Sequence, residues 1–84
     1  MLQIKNKLVI VNYQDPTTWS SWQNPEDVIF TAAECVSIGW VMEDTKQKLV
    51  IFGAMNDLGQ ISDVTVIPKG CIIKIRTIKV PAAV

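Results

Sequence analysis

The feature that most limits the fold of this sequence is a series of short runs rich in β-branched residues. Each run ends at a polar turn or at a turn that contains Pro or Gly. Branched side chains pack well on a pleated surface, and few windows repeat the i, i+3, i+4 apolar spacing of an amphipathic helix. Consecutive runs lie close enough to pair through short turns. The predicted strands are residues 8–13, 34–42, 49–55, 61–67 and 71–79.

The connection after the first strand is longer than the others. Residues 14–24, rich in Asp, Pro, Thr and Ser, form a predicted loop that contains Trp19 and Trp22. An Asn-Pro-Glu-Asp start then predicts a short helix over residues 25–31. The predicted fold is therefore mostly β: a small five-stranded antiparallel barrel or bent sheet with one long Trp-containing loop and a short helix, in a single domain spanning 1–84.

The second predicted strand is apolar on both faces. Cys35 and Val41 share one face, whereas Val36, Ile38 and Trp40 share the other, and Trp40 is expected to lie in the core. One barrel interior covers only one face, and a chain of this size buries only about 60–65% of its unfolded surface. We therefore expect a second cover, which is the Trp-containing loop, another subunit, or both, and we expect the chain to form a homo-oligomer.

The sequence contains no recognisable catalytic pattern. It has no His, the commonest general base and metal ligand, and no Gly-rich phosphate loop. Cys35 and Cys71 lack the CxxC spacing of zinc sites, so they are interpreted as buried reduced thiols, with a disulfide as the alternative. The prediction is a non-enzymatic protein without a metal or cofactor.

Charge and hydropathy limit the classes of partner and the cellular location that we expect for this chain. Eight basic and eight acidic residues cancel, so no overall field attracts the chain to nucleic acid or to an acidic membrane. Its apolar runs are far shorter than the roughly 20 residues of a membrane helix. Residues 1–7 mix polar and charged side chains and do not resemble a signal peptide. The expected location is the cytoplasm.

Candidate ligand-binding residues come from the last strand and the long loop. Lys74 and Arg76 are two apart and share one face of a strand otherwise suited to burial. With Lys69 from the adjacent turn they could bind a phosphate-bearing ligand. Alternatively, the charges lie on a solvated exterior and prevent edge-to-edge pairing of the sheet. Trp19 and Trp22 either fold onto the sheet as a lid or form a stacking platform for a base or a partner's side chain.

Two further motifs carry a family resemblance. They are Ser-Ile-Gly-Trp at residues 37–40 and Ile-Pro-Lys-Gly-Cys-Ile at residues 67–72. In their order along residues 8–79 they resemble a family of small, largely uncharacterised proteins encoded by phages and prophages. More loosely, the chain resembles barrels of the Sm and Src-homology kind, in which a short turn precedes the last strand. The resemblance implies a phage setting inside a host cell and assigns no functional residues.

Three kinds of function are compatible with these features. The chain could bind a host protein through apolar surface and a sheet edge. It could instead sequester a small phosphorylated nucleotide as an anti-defence sponge, with cations from the last strand and stacking from a Trp. A nucleic-acid-binding Sm-like barrel or a structural phage component is the further alternative, and the neutral net charge disfavours nucleic acid.

Overall fold

Strands dominate the structure, a computed structural model that describes residues 2–16, 18 and 20–80. The mostly β prediction is confirmed, and the helical content is limited to two single 3₁₀ turns, Pro25–Asp27 and Lys69–Cys71. The strands are β1 (Leu8–Asp15), β2 (Ala33–Asp44), β3 (Lys48–Phe52), β4 (Ala54–Met55), β5 (Ile61–Ser62), β6 (Thr65–Pro68) and β7 (Ile72–Ile78).

Five of these strands form one antiparallel sheet in the order β6-β3-β2-β1-β7. The remaining two, β4 and β5, pair only with each other. The third and fourth predicted strands are thus each divided in two. The break lies at Gly53 and at Asp63, whose φ of 54° is in the left-handed region. Gly53 donates its N–H to the Ser62 carbonyl over 3.0 Å, and a Cβ at Gly53 would lie 3.1 Å from the Asp63 Cβ.

The sheet is bent, and its hydrogen-bond ladder does not close among the described residues. The edge strands β6 and β7 are joined directly by the 3₁₀ turn Lys69–Cys71. In a flat sheet four strand spacings would separate these edges by about 19 Å. The link from Pro68 to Ile72 can span at most about 14 Å. The sheet must therefore curl, so the bent-sheet alternative describes it and a closed barrel is not found.

The predicted helix over residues 25–31 is wrong. Only Pro25–Asp27 is helical, as one 3₁₀ turn in which the Asp27 N–H donates to the Asn24 carbonyl over 3.0 Å. The Asn24 side chain caps no backbone group. Ile29 and Phe30, which a longer helix would need to bury, are exposed. Since a short helix is stabilised mainly by packing its apolar face, this segment has nothing to hold it helical.

The core lies on the concave side of the bent sheet. Cross-strand register places Val9 and Val11 of β1 on the same side as Leu49 and Ile51 of β3 and Ile67 of β6. All five side chains are buried and form one cluster. Three half-buried side chains pack against it, namely Tyr13, Val41 and Ile72.

Gly39 is the point of closest approach in this core. It lies opposite Val9 in the ladder and is itself buried. A Cβ at this position would lie 2.9 Å from the Ile51 Cβ and 3.1 Å from the Phe52 carbonyl oxygen. Ile51 therefore occupies the space that any larger residue at position 39 would need.

Candidate functional site: the outer face of the sheet

The sheet face opposite the core carries the candidate site. On this outer face Ile38 of β2 lies opposite Ile10 of β1, which in turn lies opposite Arg76 of β7. One row further along, Val36 lies opposite Asn12, which lies opposite Lys74. The register therefore brings two apolar side chains of β2 and two cations of β7 onto one surface. We call Ile10, Val36, Ile38, Lys74 and Arg76 the outer-face patch.

The apolar part of the patch is open to solvent. Val36 and Ile38 are each 62% exposed, and Ile10 is half-buried. Single exposed apolar residues are ordinary on protein surfaces, whereas contiguous ones mark contact sites. Val36 and Ile38 are neighbours on one face of one strand, with Ile10 directly opposite Ile38. The patch thus has the character of a contact surface.

The other end of the outer face is covered by the segment before β1. Leu2, Gln3 and Ile4 line a small cavity of about 180 Å³ with Trp40 and Val80. This cover was not among the predicted ones. Trp40 is consequently half-buried beneath the segment before β1. The prediction that Trp40 lies in the core is wrong, because it is not part of the central core cluster.

Hydrogen bonds tie this segment to β2. The Asn6 side chain donates to the Val41 carbonyl over 2.8 Å, and the Val41 N–H donates to the Lys7 carbonyl over 2.7 Å. Since both bonds use backbone groups of β2, the segment is held in the same register as β1.

The cations of the patch differ from the third predicted cation in their pairing. Lys74 and Arg76 are exposed and form no ion pair with the described residues. Lys69 instead pairs its Nζ with an Asp44 carboxylate oxygen, and its N–H donates to the Gln47 carbonyl over 2.8 Å. The structure therefore brings Lys74 and Arg76 together. It holds Lys69 against the β2–β3 turn, where the Asp44 carboxylate offsets its positive charge.

Trp22 of the long loop does not join this surface. Trp22 is fully exposed, so it is not packed against the sheet as a lid. Trp19 lies outside the described residues. The local polar contacts of the loop include the Gln23 amide, which donates to the Ser21 Oγ over 2.6 Å. The stacking role predicted for Trp22 stays a prediction.

A second cavity, of about 200 Å³, lies between the end of β1 and β6. Its polar lining residues include Tyr13, whose hydroxyl lies 2.9 Å from the Ser37 Oγ, and Asp15. No Lys or Arg lines it among the described residues, so it offers an anion no charged partner. The lining residues are Tyr13, Gln14, Asp15, Pro16, Thr65, Val66, Ile67, Pro68 and Cys71.

The cysteines lie near this second cavity. Both are free thiols and half-buried, less enclosed than the buried thiols predicted. Partial burial raises the pKa of the Cys35 thiol, and the hydrogen bond that it donates to Asp15 over 3.5 Å, with the negative charge of that carboxylate, raises the pKa further. The Cys35 thiol therefore stays protonated at neutral pH, which makes it a poor nucleophile and metal ligand. Within the described ranges, no three His, Cys, Asp or Glu side chains come together as a metal site.

Comparison with known proteins finds no matching family model and no similar curated protein or solved structure. Function is therefore inferred from the geometry of the outer face. None of the described residues belongs to a helix that is long and apolar enough to cross a membrane.

Sequence reasoning named the cations of the patch but not its apolar residues as site residues. The signal for Val36 and Ile38 was the two-sided apolar character of the second predicted strand. That pattern indicated a missing cover but not which face lacks it. The answer depends on the N-terminal segment, which covers Trp40 and leaves Val36 and Ile38 open.

Proposed function

We propose that this chain is a non-enzymatic binding protein that contacts a protein partner through the outer-face patch. The observation that carries the proposal is the 62% exposure of Val36 and Ile38, side by side on one face of β2. Burial of apolar surface contributes about 25 cal/mol per Å² of favourable free energy. A partner that covers Val36 and Ile38 therefore gains binding affinity.

Charge defines the chemistry of this partner. Lys74 and Arg76 border the apolar residues without a carboxylate among the described residues to offset them. A complementary surface presents apolar side chains flanked by Asp or Glu, and Arg76 suits a bidentate contact with such a carboxylate. The partner is therefore a protein with an apolar contact surface and an acidic rim.

The resemblance to phage-encoded proteins suggests a setting for this binding. In that setting the partner is a protein of the host cell, and binding counteracts a host process. The looser resemblance to Sm and Src-homology barrels rests on the short turn before the last strand, which is here the 3₁₀ turn Lys69–Cys71 before β7. The resemblance adds a context, whereas the contact residues come from the outer face.

The proposal is tested by placing a photo-crosslinking amino acid at position 38 or at position 58 in host cells. Leu58 is the matched control because it is 79% exposed and apolar but lies at the tip of the β4–β5 hairpin. We expect a heterologous adduct from position 38 and not from position 58. With the purified adduct protein, Ile38→Asp should weaken binding at least tenfold, about 1.4 kcal/mol or more, while Leu58→Asp leaves it unchanged.

Two results would contradict the proposal. One is a partner that crosslinks equally from both positions, which would indicate non-specific apolar contact. The other is an affinity that does not respond to Ile38→Asp. An adduct between two copies of this chain at position 38 reports self-association and not a host partner.

A small phosphorylated nucleotide is the second candidate ligand. The observation that favours it is that Lys74 and Arg76 are both unpaired, exposed and on the same strand face, about 7 Å apart along the strand. In calorimetric titration with linear and cyclic nucleotides, Arg76→Ala should weaken binding roughly tenfold to a hundredfold, as expected for a lost charge-assisted contact. Trp22→Ala tests the stacking role in the same titration. If the wild type binds no nucleotide, this candidate fails and the protein partner stands alone.

A further inference from the structure

One half of β2 has a free edge inside the sheet. Pairing with β1 runs from Ala33 to Trp40, whereas pairing with β3 begins only at the Trp40–Phe52 pair. After Phe52 the chain leaves the sheet at Gly53, and β4 pairs with β5 instead of continuing beside β2. In the described structure, residues 33–39 therefore have a neighbouring strand on one side only.

The hydrogen-bond pattern identifies which backbone groups face this free edge. The Val41 N–H donates to the Lys7 carbonyl, so odd-numbered residues of this part of β2 direct their backbone groups toward β1. In an antiparallel pair the intervening residues direct theirs to the opposite side. The N–H and C=O groups of Glu34, Val36 and Ile38 therefore point to the free edge.

The centre of this edge lacks the protection that the outer edges of the sheet carry, and its only charged residue, Glu34, lies near one end. Natural sheets block edge-to-edge pairing with Pro or with charged side chains. The edge strand β6 ends in Pro68, and the edge strand β7 carries Lys74 and Arg76. The free half of β2 has exposed Val36 and Ile38 at its centre. It is thus built to accept another strand.

We propose that a second copy of this chain pairs antiparallel with the free half of β2, about a two-fold axis that passes midway between Val36 and its copy. The free window, residues 33–39, is centred on Val36, so this axis places Val36 opposite its own copy and Glu34 opposite Ile38. Each of these pairs is of the type that exchanges two hydrogen bonds, and the pairing uses every backbone group that faces the free edge.

The Trp40–Phe52 pair limits the length of this pairing. With this axis, the first residue of the partner's strand, Ala33 of the partner subunit, lies opposite Gly39. The next position, Trp40, is already paired with Phe52. The incoming strand therefore starts where the available space starts, whereas a longer strand would meet Phe52.

Edge pairing leaves the outer-face patch accessible, because it uses backbone groups and not the side chains of Val36 and Ile38. The two-fold axis runs perpendicular to the plane of the sheet, so both patches lie on the same side of one continuous sheet. A dimer then presents Val36 and Ile38 of both copies on one surface, with a Glu34 beside each Ile38 and with Lys74 and Arg76 at both ends. This inference does not depend on the proposed partner contact.

Amide hydrogen exchange of the wild-type protein tests the pairing with an internal control. The amides of residues 35, 37 and 39 bond to β1 in monomer and dimer alike. Those of Glu34, Val36 and Ile38 should become protected only as rising concentration converts a species of 9.4 kDa, measured by sedimentation equilibrium, to one of twice that mass. A monomer at every concentration up to about millimolar, or a dimer in which the even-numbered amides exchange as fast as in the monomer, would overturn the proposal.

A pair of variants separates the backbone contribution from the side chain. Val36→Pro removes the edge-facing N–H but no bond to β1, a position where sheets tolerate Pro. We expect it to stay monomeric at concentrations where the wild type is dimeric. Val36→Thr keeps the N–H and the branched shape, and should dimerise within a few-fold of the wild type. Protection of the odd-numbered amides verifies that each variant is folded, and a folded Val36→Pro protein that dimerises like the wild type would refute the register.

Discussion

Replacing Phe52 by Ala is expected to cause the largest loss of stability of any single truncation. Phe52 is 0% exposed and is the largest fully buried side chain of the described residues. Truncations of buried Phe cost about 3–5 kcal/mol, because transfer free energy is lost and a cavity remains. Domains of this size unfold with about 4–13 kcal/mol, at 0.05–0.15 kcal/mol per residue. The substitution should therefore remove a large share of the total stability.

Urea denaturation followed by far-ultraviolet circular dichroism measures this loss. The midpoint should fall while the slope of free energy against urea stays constant, since the surface exposed on unfolding changes little. Phe30→Ala is the matched control, because the same atoms are removed from a side chain that is 80% exposed. It should change stability by no more than about 0.5 kcal/mol. Equal losses for the two variants would contradict the burial of Phe52.

Gly39→Ala is expected to destabilise the protein although it adds only one methyl group. The new Cβ would lie 2.9 Å from the Ile51 Cβ and 3.1 Å from the Phe52 carbonyl oxygen. Neither atom is the end of a flexible side chain, so relief requires β2 and β3 to move apart. Overpacking of this kind costs about 1–3 kcal/mol. That cost exceeds the gain of about 0.4–1 kcal/mol that Gly→Ala brings by restricting the unfolded chain.

Gly70→Ala provides the comparison for Gly39→Ala. A Cβ at Gly70 meets no atom within 4 Å, and its φ lies outside the left-handed region. Only the unfolded-chain effect remains there, so Gly70→Ala should be neutral or stabilising by up to about 1 kcal/mol. Thermal denaturation of both variants gives the comparison. A stable Gly39→Ala protein would mean that β2 and β3 can separate at this point without cost.

The strand positions were largely predictable because they depend on local sequence. Apolar runs and the turns between them placed β1, β2 and β7 to within a few residues. The 3₁₀ turn before β7 follows from its Pro-Lys-Gly sequence. The helix prediction failed because Asn24 and Pro25 favour a helix start, whereas continuation requires a surface on which Ile29 and Phe30 could pack.

The candidate site was only partly predictable. The spacing of Lys74 and Arg76 placed them on one strand face, which the register confirms. The pairing of Lys69 with Asp44, 25 residues away, could not be foreseen because it depends on how the β2–β3 turn meets the 3₁₀ turn. Residue spacing within one strand is local geometry, whereas ion pairs between distant segments are set by the fold.

The sequence by itself determined that this chain forms short strands, that its second strand is apolar on both sides, and that two cations share a face of the last strand. These properties follow from residue type and from the two-residue period of a strand. Only the tertiary structure decided where β3 leaves the sheet at Gly53, which end of the outer face the N-terminal segment covers, and which half of β2 keeps a free edge. Each depends on contacts between residues distant in sequence, and the alternation of apolar residues along one strand contains no information about which neighbour that strand will meet.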